Sequence, residues 1–219
     1  VQLDRKSIEN GLAIIDKHSS AMNQRVEVVT GGFIDSTGSR AKAMQWCASQ
    51  NYPLGNYDKA AISAALQDDK CPENVKEFLG IRQSLSRSST KKYQAMLECI
   101  GQDGRVHGSL MYHGASTGRW SGRHINPQNL PRPTIKDVDA CIIQMQSQDP
   151  DQIDGEPMES LASCLRGMLT ASNGNRLMVS DYASIEARAL AWLADHWEVL
   201  QTFRDGKDIY KATASGMFL

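Results

Sequence analysis

No two of the five cysteines in these 219 residues stand at Cys-x-x-Cys spacing, and their number is odd. Scattered as Cys47, Cys71, Cys99, Cys141 and Cys164, they argue against a zinc ribbon or a disulfide framework and for reduced thiols in a cytoplasmic setting. Long apolar runs are missing too. None approaches the roughly 18 residues that cross a bilayer, so no membrane contact is expected. The first residues lack the charged-then-apolar pattern of an export signal. There is no internal repeat and no low-complexity stretch. An excess of one charge is also absent: 24 Lys+Arg face 25 Asp+Glu, a balance that neither demands nor excludes a polyanionic partner. The chain begins with Val1 and stops, at residues 214–219, inside an amphipathic segment. Both ends therefore read as internal points of a longer chain.

What is present is uneven. From Arg82 to Arg132 there are eight lysines and arginines against two acids, Glu98 and Asp103. From Asp137 to Leu161 there are seven acids and no base. Such a pair fits a phosphate-tracking face beside a surface that avoids phosphate, or two solvated faces. Helical spacing of apolar residues predicts helices over 7–24, with Ser7 as cap, and over 39–49 and 59–67. A long helical pattern starts at Pro72 and runs to 100, broken by the hydroxyl-rich cluster at 84–90. The β-branched segment 26–29 reads as a short strand, and so does the alternating segment 106–113. Further helices are expected at 137–146 and 158–169, a strand at 177–182, and helices at 184–194, 197–203 and 209–218. The fold class is α+β: an all-helical first half, then a strand-containing half, with the boundary near 101–104.

Three groups of residues carry chemistry. The octet Asp181-Tyr182-Ala183-Ser184-Ile185-Glu186-Ala187-Arg188 puts a carboxylate at a strand end and a second acid one helical turn later. Phosphoryl transfer asks chiefly for positioned cations, and a rigidly held carboxylate can supply one ligand. The plainer roles are an Asp capping the helix and a first-turn Glu favouring its dipole. The helix behind is apolar nearly all round, which predicts burial, and Arg188 could there form a buried ion pair. The second group runs Thr117-Gly118-Arg119-Trp120-Ser121-Gly122-Arg123-His124-Ile125-Asn126-Pro127-Gln128-Asn129-Leu130-Pro131. Taken by itself it reads as an ordinary Gly/Pro/Asn loop, with Arg123 and His124 solvated. The third group, Ser86, Ser88, Ser89, Thr90, Lys91 and Lys92, could position phosphates without reading bases, or could be a polar loop between helices.

The octet resembles the first catalytic motif of family A DNA polymerases, the bacterial polymerase I type, which reads D-Y-S-x-I-E-x-R. The second group resembles the same family's T-G-R-L-S-S followed by P-N-L-Q-N-I-P, with Trp120, Gly122 and Pro127 in place of Leu, Ser and Leu. Residues 206–214 resemble G-K-D-I-H-x-x-T-A, with Tyr210 where His is usual. The forms Gly-Arg-Trp-Ser-Gly and Gln-Asn-Leu-Pro-Arg-Pro are similar to phage or prophage members. Single-subunit RNA polymerases lack the D-Y-x-x-I-E-x-R form.

The resemblance implies a helical linker and thumb over 1–104. A partial palm with short antiparallel strands follows over 105–188, and the start of the fingers over 189–219. It implies Asp181 as catalytic metal ligand, with Tyr182 offering a main-chain carbonyl to the metal. Glu186, Tyr182 and Ser184 would meet the incoming nucleotide, Glu186 leaving no room for a 2′-hydroxyl. Arg119, Asn126, Gln128, Asn129, Lys91 and Lys92 would meet DNA. The implied cofactor is Mg²⁺, two ions in the intact enzyme. The implied partners are primer-template DNA and deoxynucleoside triphosphates, with a monomeric protein in the cytoplasm of a bacterial host or phage-infected cell. A later fingers helix and a His-Asp-Glu motif, whose Asp is the second metal ligand, do not occur in these residues. The polypeptide alone is therefore expected to be inactive. The alternative reading is a non-catalytic DNA-binding remnant of a phage polymerase. A helical partner-binding protein unrelated to DNA is a third.

Overall fold

The computed structural model describes residues 1–86 and 90–218. Arg87, Ser88 and Ser89, part of the expected phosphate-positioning cluster, lie outside the described residues, as does Leu219. The described chain forms two compact units, residues 1–176 and 177–219. The class is α+β, with helices predominating and two small antiparallel sheets.

The first unit is organised by one long helix, α1 (Arg5–Thr30). Asp4, not Ser7, caps it: the Asp4 carboxylate accepts the Ser7 N–H at 3.1 Å and the Ser7 hydroxyl at 2.7 Å. The expected strand at 26–29 is instead the last turn of this helix. Val26 is fully buried, and the helix ends at Gly31, whose φ of 62° admits the left-handed turn. The Gly32 N–H closes the end on the Glu27 carbonyl at 2.7 Å. Burial of one valine face on the core has overridden β propensity.

At 26 residues and about 1.5 Å per residue, α1 is long enough to serve two cores. Its first half contributes Ile8 and Ile14 to a core with Tyr93, Met96, Met145, Leu161 and Met168. Its second half contributes Val26 to a core with Trp46, Cys47, Val75, Phe78 and Leu79. The second core is closed by α2 (Arg40–Ser49), α3 (Lys59–Gln67) and α4 (Glu73–Leu85). The first is closed by α5 (Lys91–Cys99), α6 (Val138–Gln144) and α7 (Pro157–Cys164). Helices α1 and α5 approach closely at Gly11, where a Cβ would stand 2.7 Å from the Tyr93 ring. The buried Tyr93 hydroxyl donates to the Leu161 carbonyl at 2.8 Å, tying α5 to α7.

The first half is not all helical. Strand β1 (Gln2–Leu3) pairs with β4 (Leu169–Thr170), and Gln2 also bridges to Arg105. The expected long strand at 106–113 shrinks to β2 (Leu110–Met111), paired with β3 (Ser121–Gly122). Gly108, at φ 63°, and His113, at φ 52°, bend the chain on either side and end the pairing.

The second unit holds α8 (Ile185–Leu193), α9 (Trp197–Arg204) and α10 (Ile209–Phe218). The expected strand at 177–182 does not form: the segment has no regular secondary structure, with Met178 83% and Val179 95% exposed. A strand needs a ladder, and no described segment pairs with it. The expectation that α8 is buried also fails: Leu190, Trp192 and Leu193 are exposed, and Ala191 is its buried residue. Among the described residues, no helix is long and apolar enough to cross a membrane.

Candidate functional site

Four of the six residues expected to meet DNA come together. Arg119, Asn126, Gln128 and Asn129, with Leu110, Trp120, Ser121 and Gly122, line an open hollow of about 790 Å³. The hairpin of β2 and β3 forms one wall. Its nine-residue connection, 112–120, is closed by the Ala115 N–H on the Arg119 carbonyl at 3.1 Å and the Gly118 N–H on the Ala115 carbonyl at 2.9 Å. The other wall is a single 3-10 turn, Pro127–Asn129, capped by Asn126, whose side-chain oxygen accepts the Gln128 N–H at 3.2 Å. Gly122 is needed here because a Cβ would collide with the Asn126 side chain.

The loop is pinned from behind by two cations. The Lys92 ammonium, on α5, donates to the Asn129 carbonyl at 2.8 Å. The Arg166 guanidinium, just past α7, donates to the carbonyls of Leu130 and Pro131 at 2.8 and 3.0 Å. Leu130 itself is buried in the first core. The loop is thus fixed to the scaffold by a buried side chain and three charged hydrogen bonds, the stronger kind. Lys91 is exposed at the start of α5 and does not line the hollow. Arg166 was not visible as a site residue in the sequence, where it is a lone base in an apolar helical pattern. From Gly104 to Lys136 the chain has no acid, while Arg105, Arg119, Arg123, Arg132 and Lys136 fall within it. The lining of the hollow carries the Arg119 guanidinium and no acid.

The catalytic octet lies in the second unit. Asp181 and Tyr182 sit exposed in the irregular segment before α8. Ser184 starts α8 in the left-handed region at φ 55°, an uncommon conformation for a non-glycine residue. Ser184 and Glu186 line a second hollow, of about 490 Å³, with Ala187, Ile209, Tyr210, Thr213 and the α10 side chains Met217 and Phe218. Asp181 and Tyr182 are not part of that lining. The expected buried ion pair of Arg188 is replaced by other partners. Its Nε donates to the Ala183 carbonyl at 2.9 Å, and its guanidinium lies 4.3 Å from the centre of the Phe203 ring. The hydrogen bond stays at the start of α8, and the ring contact joins α8 to α9. Asp208 caps α10, accepting the Tyr210 and Lys211 N–H groups at 2.9 and 3.3 Å.

Among the described residues, no group of three or more His, Cys, Asp or Glu side chains could hold a metal ion. The Asp181 carboxylate and the Tyr182 carbonyl are adjacent in the chain, and they supply at most part of an Mg²⁺ shell.

The profile of DNA polymerase family A matches residues 49–219. Over 222 aligned residues, covering 100% of this chain, the sequence is 31% identical to the DNA polymerase of Bacillus phage SP02, of which it spans 34%. It is 28% identical over 144 residues to DNA polymerase I of Treponema pallidum (strain Nichols), covering 66% of this chain and 12% of that protein. It is 32% identical over 118 residues to DNA polymerase I A, chloroplastic/mitochondrial, of Arabidopsis thaliana, covering 54% and 9%. The chain therefore spans about a third or less of these relatives. No solved structure matches it. Both motif groups fall within the matched region, and the chain belongs to DNA polymerase family A.

Proposed function

We propose that this chain is the thumb, part of the palm and the start of the fingers of a phage-type DNA-directed DNA polymerase. The boundaries fall at 1–104, 105–188 and 189–219. In the intact enzyme the reaction is addition of deoxynucleotides to a primer 3′-end. The observation that carries the reading is the acid-free hollow in which Arg119, Asn126, Gln128 and Asn129 converge. Guanidinium and amide donors on a fixed loop can engage minor-groove acceptors of a primer-template duplex whatever its sequence. Lys91 adds charge beside it, and Lys92 contributes through the Asn129 carbonyl it holds.

Asp181 and the Tyr182 carbonyl would serve Mg²⁺, which when bound neutralises the triphosphate and activates the primer hydroxyl. The second carboxylate would come from outside these residues. Glu186, with Ser184 and Tyr182, would border the sugar of the incoming deoxynucleotide and exclude a 2′-hydroxyl. On this reading the 219 residues alone bind DNA as a monomer in the cytoplasm but do not extend a primer.

Fluorescence anisotropy with a labelled primer-template tests the reading. Expected are affinity that falls steeply with salt and a loss of about tenfold or more for Arg119→Ala. A chain that binds no duplex, or an Arg119→Ala variant that binds like the parent, would sink it. Primer extension at ordinary rates by the purified chain would overturn the expected inactivity.

A further inference from the structure

Tyr112 and Trp120 belong to neither core. They flank the connection between β2 and β3 and pack edge to face, ring centres 5.2 Å apart at 70°. Tyr112 is 73% and Trp120 60% exposed. His113 extends the cluster, its ring 6.2 Å from that of Tyr112. Two large rings held in a fixed mutual geometry, with their outer faces in water, form a surface that gains from a flat unsaturated partner.

The charge around them narrows the partner. Arg119 precedes Trp120, and Arg123 lies three residues beyond it. The Arg123 backbone is fixed by the Ser109 carbonyl at 2.7 Å, and its guanidinium lies 2.7 Å from the Met111 sulfur on β2. No acid occurs from Gly104 to Lys136. A partner that carries both planar groups and regularly spaced negative charge is a nucleic acid. In a duplex the base faces are covered by their neighbours, and only edges, sugars and phosphates meet a protein. An aromatic face gains most from a base that is out of the stack. Leu, usual at position 120 in the resemblance described above, has no such face.

We infer that the Tyr112–Trp120 pair is a stacking platform for an unpaired base in a single-stranded stretch of nucleic acid running out of the hollow. The inference rests on the DNA-binding reading of that hollow and adds a single-strand subsite beside it.

The test titrates the purified chain and its Trp120→Leu and Trp120→Phe variants against labelled oligothymidylate and a blunt duplex of equal length. Trp120→Leu should weaken single-strand binding about tenfold, within the range for one stacked base, and weaken blunt-duplex binding by a clearly smaller factor, since Trp120 also borders the hollow. Trp120→Phe should keep most of the single-strand affinity but lose the tryptophan quench seen at saturating oligothymidylate. Because the side chain is exposed, both variants should keep the parent's far-ultraviolet circular dichroism. Equal single-strand binding by parent and Trp120→Leu overturns the platform, and so does an equal loss on both ligands. A Trp120→Leu variant that binds all DNA normally but loses self-association in sedimentation assigns the pair to protein contact and also overturns it. If the parent binds neither ligand, the DNA-binding reading falls and the platform with it.

Discussion

The two units of this chain carry their functional residues in opposite ways. In residues 1–176 the candidate interface is backed by packing: Leu130 sits in a core, and Lys92 and Arg166 clamp the loop carbonyls on either side of it. In the second unit the octet stands on an irregular segment and a helix whose large apolar side chains are exposed. One region has a scaffold that orders its site. The other has local order from caps and from the Arg188 bond, but almost no buried apolar surface to hold it. Within these residues the octet's order comes from local bonds such as that of Arg188 to the Ala183 carbonyl. Most helical stability comes from packing of an apolar face, not from propensity.

The largest expected effect breaks this comparison if it fails. Phe78 is fully buried, edge to face with Trp46 at 5.2 Å. Phe78→Ala should cost about 3–5 kcal/mol in urea denaturation followed at the Trp46 environment. Leu193→Ala, in a helix where Leu193 is 74% exposed, should change stability by no more than about 0.5 kcal/mol. Similar losses from both variants would mean that the second unit has a core as consequential as the first.

The sequence disclosed the helices well where caps and apolar spacing agreed. Asp58 caps α3, its carboxylate accepting the Ala61 N–H at 2.8 Å, and the segment expected at 59–67 is the segment observed. The span 209–218 likewise forms α10. The hydroxyl-rich break separates α4 from α5 as expected. The strands were poorly legible because they are two residues long and depend on distant partners. Leu3 meets Leu169 across most of the first unit, and no local periodicity announces that. The segment at 177–182 failed for the converse reason: its alphabet is that of a strand, but pairing is a property of a neighbour. At the candidate interface, the resemblance to the family's motif pointed to Arg119, Asn126, Gln128 and Asn129, which line one hollow. The clamps were illegible, since any exposed lysine or arginine can reach a carbonyl once folding presents one.

A pH experiment sharpens the contrast at intermediate size. Burial raises the Cys47 thiol to about 11. Burial likewise raises the Tyr57 hydroxyl to about 12. Both belong to the second core of the first unit. Their folded pKa values lie above the unfolded ones, about 8.5 and 10, so the folded state keeps its protons longer. Their contribution is complete below pH about 8.5 and is lost as the pH rises toward 11 and 12. In the second unit, among the described residues, the shifted group is Asp205, lowered by bonds from Lys207 and Gln201. Any linkage there lies on the acid side and is lost as the pH falls. Unfolding free energies measured from pH 8 to 10.5 should therefore decline for the first unit, with roughly 3 kcal/mol of the decline from these two groups, and decline less in Cys47→Ala. A flat profile, or equal slopes in parent and variant, would contradict this assignment.

The smallest effect on stability concerns Lys92, and it separates two ways of serving DNA. If its ammonium met a phosphate, Lys92→Met would lower the salt dependence of binding by about one released counterion. Its ammonium instead holds the Asn129 carbonyl, so the variant should lose no more than about 1 kcal/mol of stability, the scale of one hydrogen bond at a partly exposed site. Primer-template affinity should fall because the loop bearing Gln128 and Asn129 loosens, while the slope of affinity against salt stays the same. Lys91→Met supplies the opposite pattern: Lys91 is exposed and outside the hollow, so the slope should drop with the loop unaltered. Finding the two patterns exchanged would show that the first unit's interface owes less to its clamps than to its charge, and the contrast with the second unit would shrink accordingly.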